Sequence, residues 1–346
     1  MGSPLTPLPP TSPPQPDDIE DLYAPSMDID QMMQLGHHYI LNQIMKQAAK
    51  PKEGIPYHYK DILKYIPEEQ EKWKKACEEE IKLITDQNIW TLVDCPPDRK
   101  PVKHHWVFAK KSDGRYKAHL VAKGFSQIYG EDYDETFSPV THFETVRLLL
   151  AYACQNDWDI ESLDVKTAFL YGQLNEEIYM EQPEGFEISS SNQVYHLLCA
   201  LYGLKQATLA WNKELHKSLL KLSFKRSKSD PGVYYYQDKS GIMLFIIYID
   251  DGLLMSNSAT LLQKKKTAFL KVWEARDMGP VTEYLGFQII CDRKKRTMVL
   301  HQLPYIRKVI KHFELEQVKP AKTPLPTGYI PQKAPLDYNA TPSTQQ

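Results

Sequence analysis

Residues 233–254 read VYYYQDKSGIMLFIIYIDDGLL. An aromatic run, a Lys-Ser-Gly break and an apolar run read as two adjacent antiparallel strands. The second strand is apolar enough to read as buried, yet it drives into Asp250–Asp251 and a glycine. Side chains alternate along a strand. Leu244, Ile246, Tyr248 and Asp250 therefore share one face, and Phe245, Ile247, Ile249 and Asp251 the other. The two aspartates point apart unless the turn begins between them. Asp251–Gly252 is good hairpin-turn chemistry, with LLMSN returning, which places the carboxylates at a hairpin tip. Neighbouring carboxylates resist joint ionisation. Either the pair is a solvated turn, or something positive binds there.

A second acidic strand end follows from WDIESLDV (158–165), which runs into Asp164 before the pattern changes at KTAFLYG. Taken singly, each acidic end is ordinarily a cap or a solvated turn. Side by side in one sheet, Asp164 and Asp250 can bridge divalent cations. Hard cations such as Mg²⁺ take oxygen ligands and keep waters and substrate phosphates in the remaining positions. Two such ions clamp the attacking and leaving oxygens of a phosphoryl transfer.

Composition limits the classes. With 346 residues, 42% apolar and 25% charged, the chain is a globular protein of one or two domains. The longest apolar run, 242–249, is far below the ~20 residues of a membrane span, so no membrane is expected. No charged n-region precedes an apolar stretch at the N-terminus, so no signal peptide is read. The five cysteines are scattered without a CxxC pair. Reduced thiols, no zinc site and an intracellular setting follow. The formal charge of −2 argues against a uniformly basic binding face but leaves room for local basic patches.

Fourteen of the 25 prolines lie in 1–25 or 320–346, so the ordered part is roughly 50–320. Residues 1–50 are expected to be disordered or a linker, and 321–346 a disordered tail. Between them, helices are expected over 68–88, 142–156, 206–222, 258–276 and 304–315, and hairpins over 104–125, 233–250 and 283–301. Ser258 reads as an N-cap. Strands and helices intermix without a βαβα rhythm, which indicates α+β.

In this order, RYKAHLVAKGFSQIYGEDYDETFSPV (115–140), ESLDVKTAFLYGQLNEEIYMEQPEGF (161–186), LYGLKQATLAW (201–211), YIDD (248–251) and EYLGFQI (283–289) resemble the reverse transcriptase of Ty1/copia-type retrotransposons. The resemblance covers about 55–325. It implies a right-hand polymerase with fingers, a ferredoxin-like palm and a partial thumb. The N-terminal helix and fingers would span 51–158, a palm with an inserted fingers segment 159–292, and the thumb would start at 293–320. It implies an RNA-directed DNA polymerase using two Mg²⁺ (or Mn²⁺) ions, dNTPs and a primed RNA or DNA template. Asp164, Asp250 and Asp251 are the implied catalytic metal ligands, with the Val165 carbonyl on the second ion. Phe169 is the implied sugar gate. Lys110, Lys117, Gly203 and Lys205 would face the nucleotide, and Tyr248 and Lys123 the primer and template. Lys264–Lys266 and Arg293–Arg296 are candidate backbone contacts, or solvated faces.

Three segments depart from the family. His119 stands where Arg is usual in Lys-Ala-Arg-Leu-Val, and Thr208 and Leu209 stand for Pro and Arg in motif B. The later Lys-Asp-Leu-Gly is Arg276-Asp277-Met278-Gly279. Histidine is largely neutral at pH 7 and lacks the guanidinium fork. The alternative expectation is thus a catalytically impaired relic, acting at most as a nucleic-acid-binding module. RNase H and integrase sequences are not found here, so a fragment of a Pol polyprotein is expected, in a cytoplasmic particle or the nucleus.

Overall fold

The computed structural model describes residues 54–317, apart from 112, 189–191 and 314. The expected disorder of 1–50 and 321–346 lies outside the described residues. The described residues divide into two compact units, one within 54–139 and 167–218, the other within 140–166 and 219–317.

Helix α1 spans Pro67–Asp86. Proline suits its first turn, because the missing N–H has no intrahelical partner there. Glu68 and Glu69 meet the positive end of the helix dipole. Trp73, Ala76, Cys77, Glu80 and Ile84 fall on one buried face. Strands β1 (Trp90–Asp94), β2 (His104–Lys110) and β3 (Tyr116–Ala122) follow. The hairpin β2–β3 is the expected one, in full register from His104↔Ala122 to Lys110↔Tyr116. Helix α2 is Phe143–Gln155 and β4 is Asp159–Val165. Then come β5 (Gln173–Met180), β6 (Gln193–Cys199), α3 (Ala207–Lys221), β7 (Lys225–Arg226), β8 (Val233–Asp238), β9 (Gly241–Tyr248) and β10 (Asp251–Ser256). Helix α4 (Ala259–Leu270), β11 (Ala275–Pro280), β12 (Glu283–Tyr284), β13 (Phe287–Asp292), β14 (Thr297–His301) and α5 (Leu303–His312) complete the described chain.

The first unit holds the sheet β1–β6–β5 and the hairpin β2–β3. Its core joins Trp73 and Ile84 of α1 to Phe108, Leu120, Met180 and Leu197. The second unit holds the antiparallel sheet β11–β4–β10–β9–β8–β7 and the small sheet β12–β13–β14. Val146, Leu150 and Ala153 of α2 pack with Ile246, Leu253 and Met255 on one face of the large sheet. On the other, Phe269 of α4 sits edge-on to Phe245. That strand is covered on both sides, as its unbroken apolar run requires.

One helix is shorter than its pattern. Ser258 caps α4 as expected, its Oγ accepting from the Leu261 N–H at 3.3 Å, but the helix stops at Leu270 rather than Arg276. The chain turns extended because β4 offers an open edge. Lys166 N–H donates to the Glu274 carbonyl and Ala275 pairs with Val165. Pairing satisfies backbone groups on both strands, which outweighs the helical propensity of Lys271–Arg276.

Candidate active site

The hairpin β9–β10 turns two residues earlier than Asp251–Gly252 suggests. Tyr248 pairs with Asp251, leaving Ile249–Asp250 as a two-residue loop, and Asp251 and Gly252 belong to β10. Ile249 sits at φ +59°. A β-branched residue in the left-handed region costs ~1–2 kcal/mol, held here by pairing on either side. Gly252 serves packing rather than the turn. A Cβ there would meet Leu163 Cδ1 at 2.8 Å and Phe245 Cε2 at 2.9 Å.

This register decides where the acids point. Asp251 pairs with Asp164 across β10 and β4. Cross-strand partners share a face, so their carboxylates lie on the same side. Asp250, in the loop, is tied to the same strand end, because its carbonyl accepts from the Val165 N–H at 2.9 Å. The Tyr284 hydroxyl donates to the Asp251 carbonyl at 3.3 Å and fixes the strand start from β12. Arg276 of β11 pairs with Asp164 from the opposite side. One row therefore crosses four strands: Tyr248, Asp251, Asp164, Arg276.

The acids are electrostatically uncomfortable. Burial, then the charges of Asp250, Asp164 and Glu283, push Asp251 up to about 6. Burial, reinforced by the charge of Asp164, also raises Asp250. Burial and the Asp251 charge raise Tyr248. Like charges gathered in a desolvated place call for a cation. The donors on offer are carboxylates and the Val165 carbonyl, an oxygen-only set suited to a hard dication. Among the described residues no three His, Cys, Asp or Glu side chains form a ready cage. Mg²⁺ is ordinarily held by one or two carboxylates, with water and substrate phosphate completing its shell.

The remaining expected residues lie in the first unit. Phe169 is half-buried in the turn Ala168–Tyr171, its ring edge-on to Tyr202 at 5.5 Å. Gly203 has φ +88°, and a Cβ there would strike the Ala122 carbonyl oxygen at 2.1 Å. Lys205 Nζ bonds the Tyr133 hydroxyl at 2.7 Å and lies 4.1 Å from the centre of that ring. Its backbone N–H donates to Gln127 Oε1, Gln127 donates to Gln206 Oε1, and Gln206 to the Asp132 carbonyl. That buried amide chain holds the 201–211 segment against the 124–133 loop. Nothing in the spacing of the glutamines announces it. Lys110 lies 3.8 Å from Glu69 and over the Tyr116 ring. Lys117 is exposed on β3 opposite Ala109. Lys123 donates its N–H to the Lys103 carbonyl at 2.6 Å.

Two basic runs mix engaged side chains with exposed ones, since Lys264 and residues 293–296 are exposed. Lys266 is 5% exposed and bridges Glu161 of β4 and Asp277 of β11 at 2.5 and 2.6 Å. Lys265 donates to the Leu222 carbonyl and covers the Tyr236 ring. Arg293 binds Asp157 and Asp159, and Arg296 binds the Gln155 carbonyl. His119 departs from its expected setting too. Its Nδ1 lies 3.1 Å from the buried Glu80 carboxylate, which also accepts from the Leu120 N–H.

Among the described residues no helix is long and apolar enough to cross a membrane. A family model described as reverse transcriptase (RNA-dependent DNA polymerase) matches residues 87–327. The chain is 38% identical over 280 residues to a retrovirus-related Pol polyprotein from transposon TNT 1-94 of Nicotiana tabacum, covering 78% of this chain and 21% of that one. A Pol polyprotein from transposon RE1 of Arabidopsis thaliana is 37% identical, covering 74% and 18%. The chain thus spans about a fifth of the length of these relatives. A solved foamy viral protease–reverse transcriptase in complex with double-stranded DNA aligns at 11% identity with a TM-score of 0.36, covering 72% of this chain and 38% of that one. By the family match and these relatives, the chain belongs to the reverse transcriptases of Ty1/copia-type retrotransposon Pol polyproteins.

Proposed function

We propose that this chain is an RNA-directed DNA polymerase that adds dNTPs to a primer 3′-hydroxyl. The observation that carries the reading is the register that sets Asp251 beside Asp164, with Asp250 pinned to Val165 at the same strand end. Counting β4, β9, β10 and β11 as first to fourth, the sheet order is 4-1-3-2. That order supports a ferredoxin-like palm, with the hairpin carrying its acids to the strand ends.

Asp164, Asp250, Asp251 and the Val165 carbonyl would hold two Mg²⁺ or Mn²⁺ ions. When bound, such ions neutralise the triphosphate and lower the cost of the attacking alkoxide. The chain's own residues position the partners, which is most of what phosphoryl transfer asks of a protein. Burial and pairing fix the Asp164–Asp251 edge, so no side chain need reorganise as charge moves. Tyr248, the cross-strand neighbour of Asp251, would meet the primer end. Phe169, wedged against Tyr202, would crowd a ribose 2′-hydroxyl. Gly203 lets the backbone pass close under the nucleotide. Lys110 and Lys205 would exchange Glu69 and Tyr133 for phosphate, while Lys117 and Lys123 would meet nucleotide and template.

A second reading has one observation in its favour. His119, where the family usually carries arginine, is engaged by Glu80. A protein impaired in this way would bind primer–template and extend it poorly at low dNTP. Incubation with primed poly(rA), dTTP and Mg²⁺ tests the choice. Metal-dependent extension that Asp250→Asn abolishes supports the enzyme. Binding without extension supports the relic.

A further inference from the structure

The five cysteines show no pairing in their spacing, but the fold sorts them. Cys77, Cys95 and Cys199 belong to the first unit, Cys154 and Cys291 to the second. Cys154 ends the buried face of α2, and Cys291 is exposed on β13. These two elements run side by side. At their starts the Phe143 and Phe287 rings stack at 4.7 Å. Further along, Val146, Leu150 and Ala153 of α2 share a core with Ile289. Phe287, Ile289 and Cys291 alternate with Gln288 and Ile290, so all three face the helix. Phe143, Val146, Leu150 and Cys154 recur at helical spacing on the stripe that faces the strand.

The lengths bring the two sulfurs together. From Phe143 to Cys154 the helix rises ~16 Å, and from Phe287 to Cys291 the strand rises ~13 Å. Elements in contact at one end thus finish within a side chain's reach at the other. The two thiols lie within hydrogen-bonding reach of each other. Arg296 donates to the Gln155 carbonyl at 2.7 Å and Arg293 binds Asp157, which clamps the β13–β14 turn onto the end of α2. Neither cysteine is in a disulfide. Burial, then the neighbouring Cys291, raises the Cys154 thiol, and the Arg296 charge opposes the rise. Two thiols preset face to face on separate elements, one of them open to solvent, form the arrangement that a two-electron oxidant joins.

We propose that Cys154 and Cys291 are a reversible dithiol–disulfide pair that hydrogen peroxide closes and a small thiol reopens. The pair works independently of any nucleotide chemistry. Cys291, the exposed member, meets the peroxide first. Its thiolate attacks one peroxide oxygen, the O–O bond breaks, and the departing hydroxide takes up a proton to leave as water. Cys291 is then a sulfenic acid. Cys154 gives up its proton and attacks the Cys291 sulfur, the S–O bond breaks, and a second water leaves. Two thiols and one peroxide become one disulfide and two waters. The sulfurs lose two electrons and the peroxide oxygens gain them. Reduced glutathione reverses the step by exchange, two molecules leaving as one oxidised glutathione while both cysteine thiols are restored. The bridge fastens α2 to the small sheet across a long stretch of chain, which restricts the unfolded state and raises stability.

The test uses the full chain, reduced, freed of reductant and then exposed to hydrogen peroxide. Remaining thiols are blocked with N-ethylmaleimide and the peptides read by mass spectrometry. Wild type should yield a linked Cys154–Cys291 peptide that dithiothreitol abolishes. Oxidation should raise the wild-type melting temperature by ~5–15 °C. Cys291→Ser and Cys154→Ser should show no such rise, each measured against its own reduced form, so that any cost of the buried serine cancels. In glutathione buffers of graded ratio the linked fraction should pass through one midpoint, the same from either direction. Cys291 recovered as a sulfinic acid or a glutathione adduct, with Cys154 alkylated, overturns the pair. A link to Cys77, Cys95 or Cys199, or between two chains on a non-reducing gel, overturns it as well. A linked protein that melts no higher than the reduced one also overturns it, because the sulfurs would then not be preset. An equal rise in Cys291→Ser does the same.

Discussion

Asp251→Asn should stabilise the metal-free protein while ending any polymerase activity. Asp251 rises from an ordinary aspartate value of 3.8 to about 6 through burial and the charges of Asp250, Asp164 and Glu283. At ~1.4 kcal/mol per tenfold change in proton affinity, the rise amounts to ~3 kcal/mol. Asp251 keeps partial solvent contact, so screening reduces this to ~1–2 kcal/mol. The sign follows from proton binding. The folded state holds the Asp251 proton more tightly than the unfolded chain does, so stability falls as pH rises from about 4 to about 6. Above that window the full cost is present. Thermal unfolding in EDTA should therefore show the wild type losing stability from pH 4.5 to 7. The variant should be flatter and melt ~2–8 °C higher at pH 7.5, since ~1 kcal/mol moves a unit of this size by ~2–4 °C. Mg²⁺ should raise the wild-type melting temperature more than that of the variant. A variant less stable than wild type at pH 7.5, with an undiminished pH slope, would refute the claim that repulsion and burial dominate this strand end.

Three further substitutions, with Lys264→Ala as a control, test the frame around the acids. Gly252→Ala forces a Cβ into Leu163 and Phe245 and should cost ~1–3 kcal/mol by urea unfolding, with extension falling as the β4–β10 spacing opens. Lys266→Met leaves Glu161 and Asp277 facing each other without their cation and should cost ~3–5 kcal/mol, whereas Lys264→Ala, on the exposed face of α4, should fall within ~0.5 kcal/mol in the same assay. Arg293→Ala removes the tie to Asp157 and Asp159 and should lower stability by ~1 kcal/mol. The salt slope of primer–template binding should stay unchanged, and a slope shallower by one would return Arg293 to the nucleic acid.

The elements with strong periodic patterns were legible in the sequence. The hairpin over 104–125, the helix around Trp73 and Ile84, and the two aromatic-apolar strands all stand where their spacing puts them. What failed was local chemistry that tertiary pairing overrode. Asp-Gly is a preferred turn pair, yet the loop is Ile249–Asp250, because only that register lets Gly252 slip between Leu163 and Phe245. Lys271–Arg276 keeps a helical composition but becomes a path to β11, because β4 needed an edge partner. The intramolecular partners within the basic runs were hidden for a related reason. Charge in a sequence shows no partner, and Glu161, Asp277, Asp157 and Asp159 are distant from Lys266 and Arg293 in the chain. The acidic ends themselves were legible as candidates. Their register, and the positions of Arg276 and Tyr284 around them, were not.

The departures at His119, Thr208 and Leu209 and the carboxylate row lie in different units, and this makes enzyme and relic separable by kinetics. Every acid of the second unit is in place, with its strand register closed from Asp159 to Asp164. On the proposed polymerase reading, a defect arising from the first unit alone would act on substrate binding. His119 Nδ1 lies 3.1 Å from Glu80, and on the same reading this side chain offers the nucleotide no guanidinium fork. Uniform loss of ground-state and transition-state binding raises KM and spares kcat. An impaired copy of this kind extends a primer at saturating dTTP and stalls at low dTTP. A relic whose chemistry has failed stalls at both, and would then need a fault in the second unit that its intact row does not show.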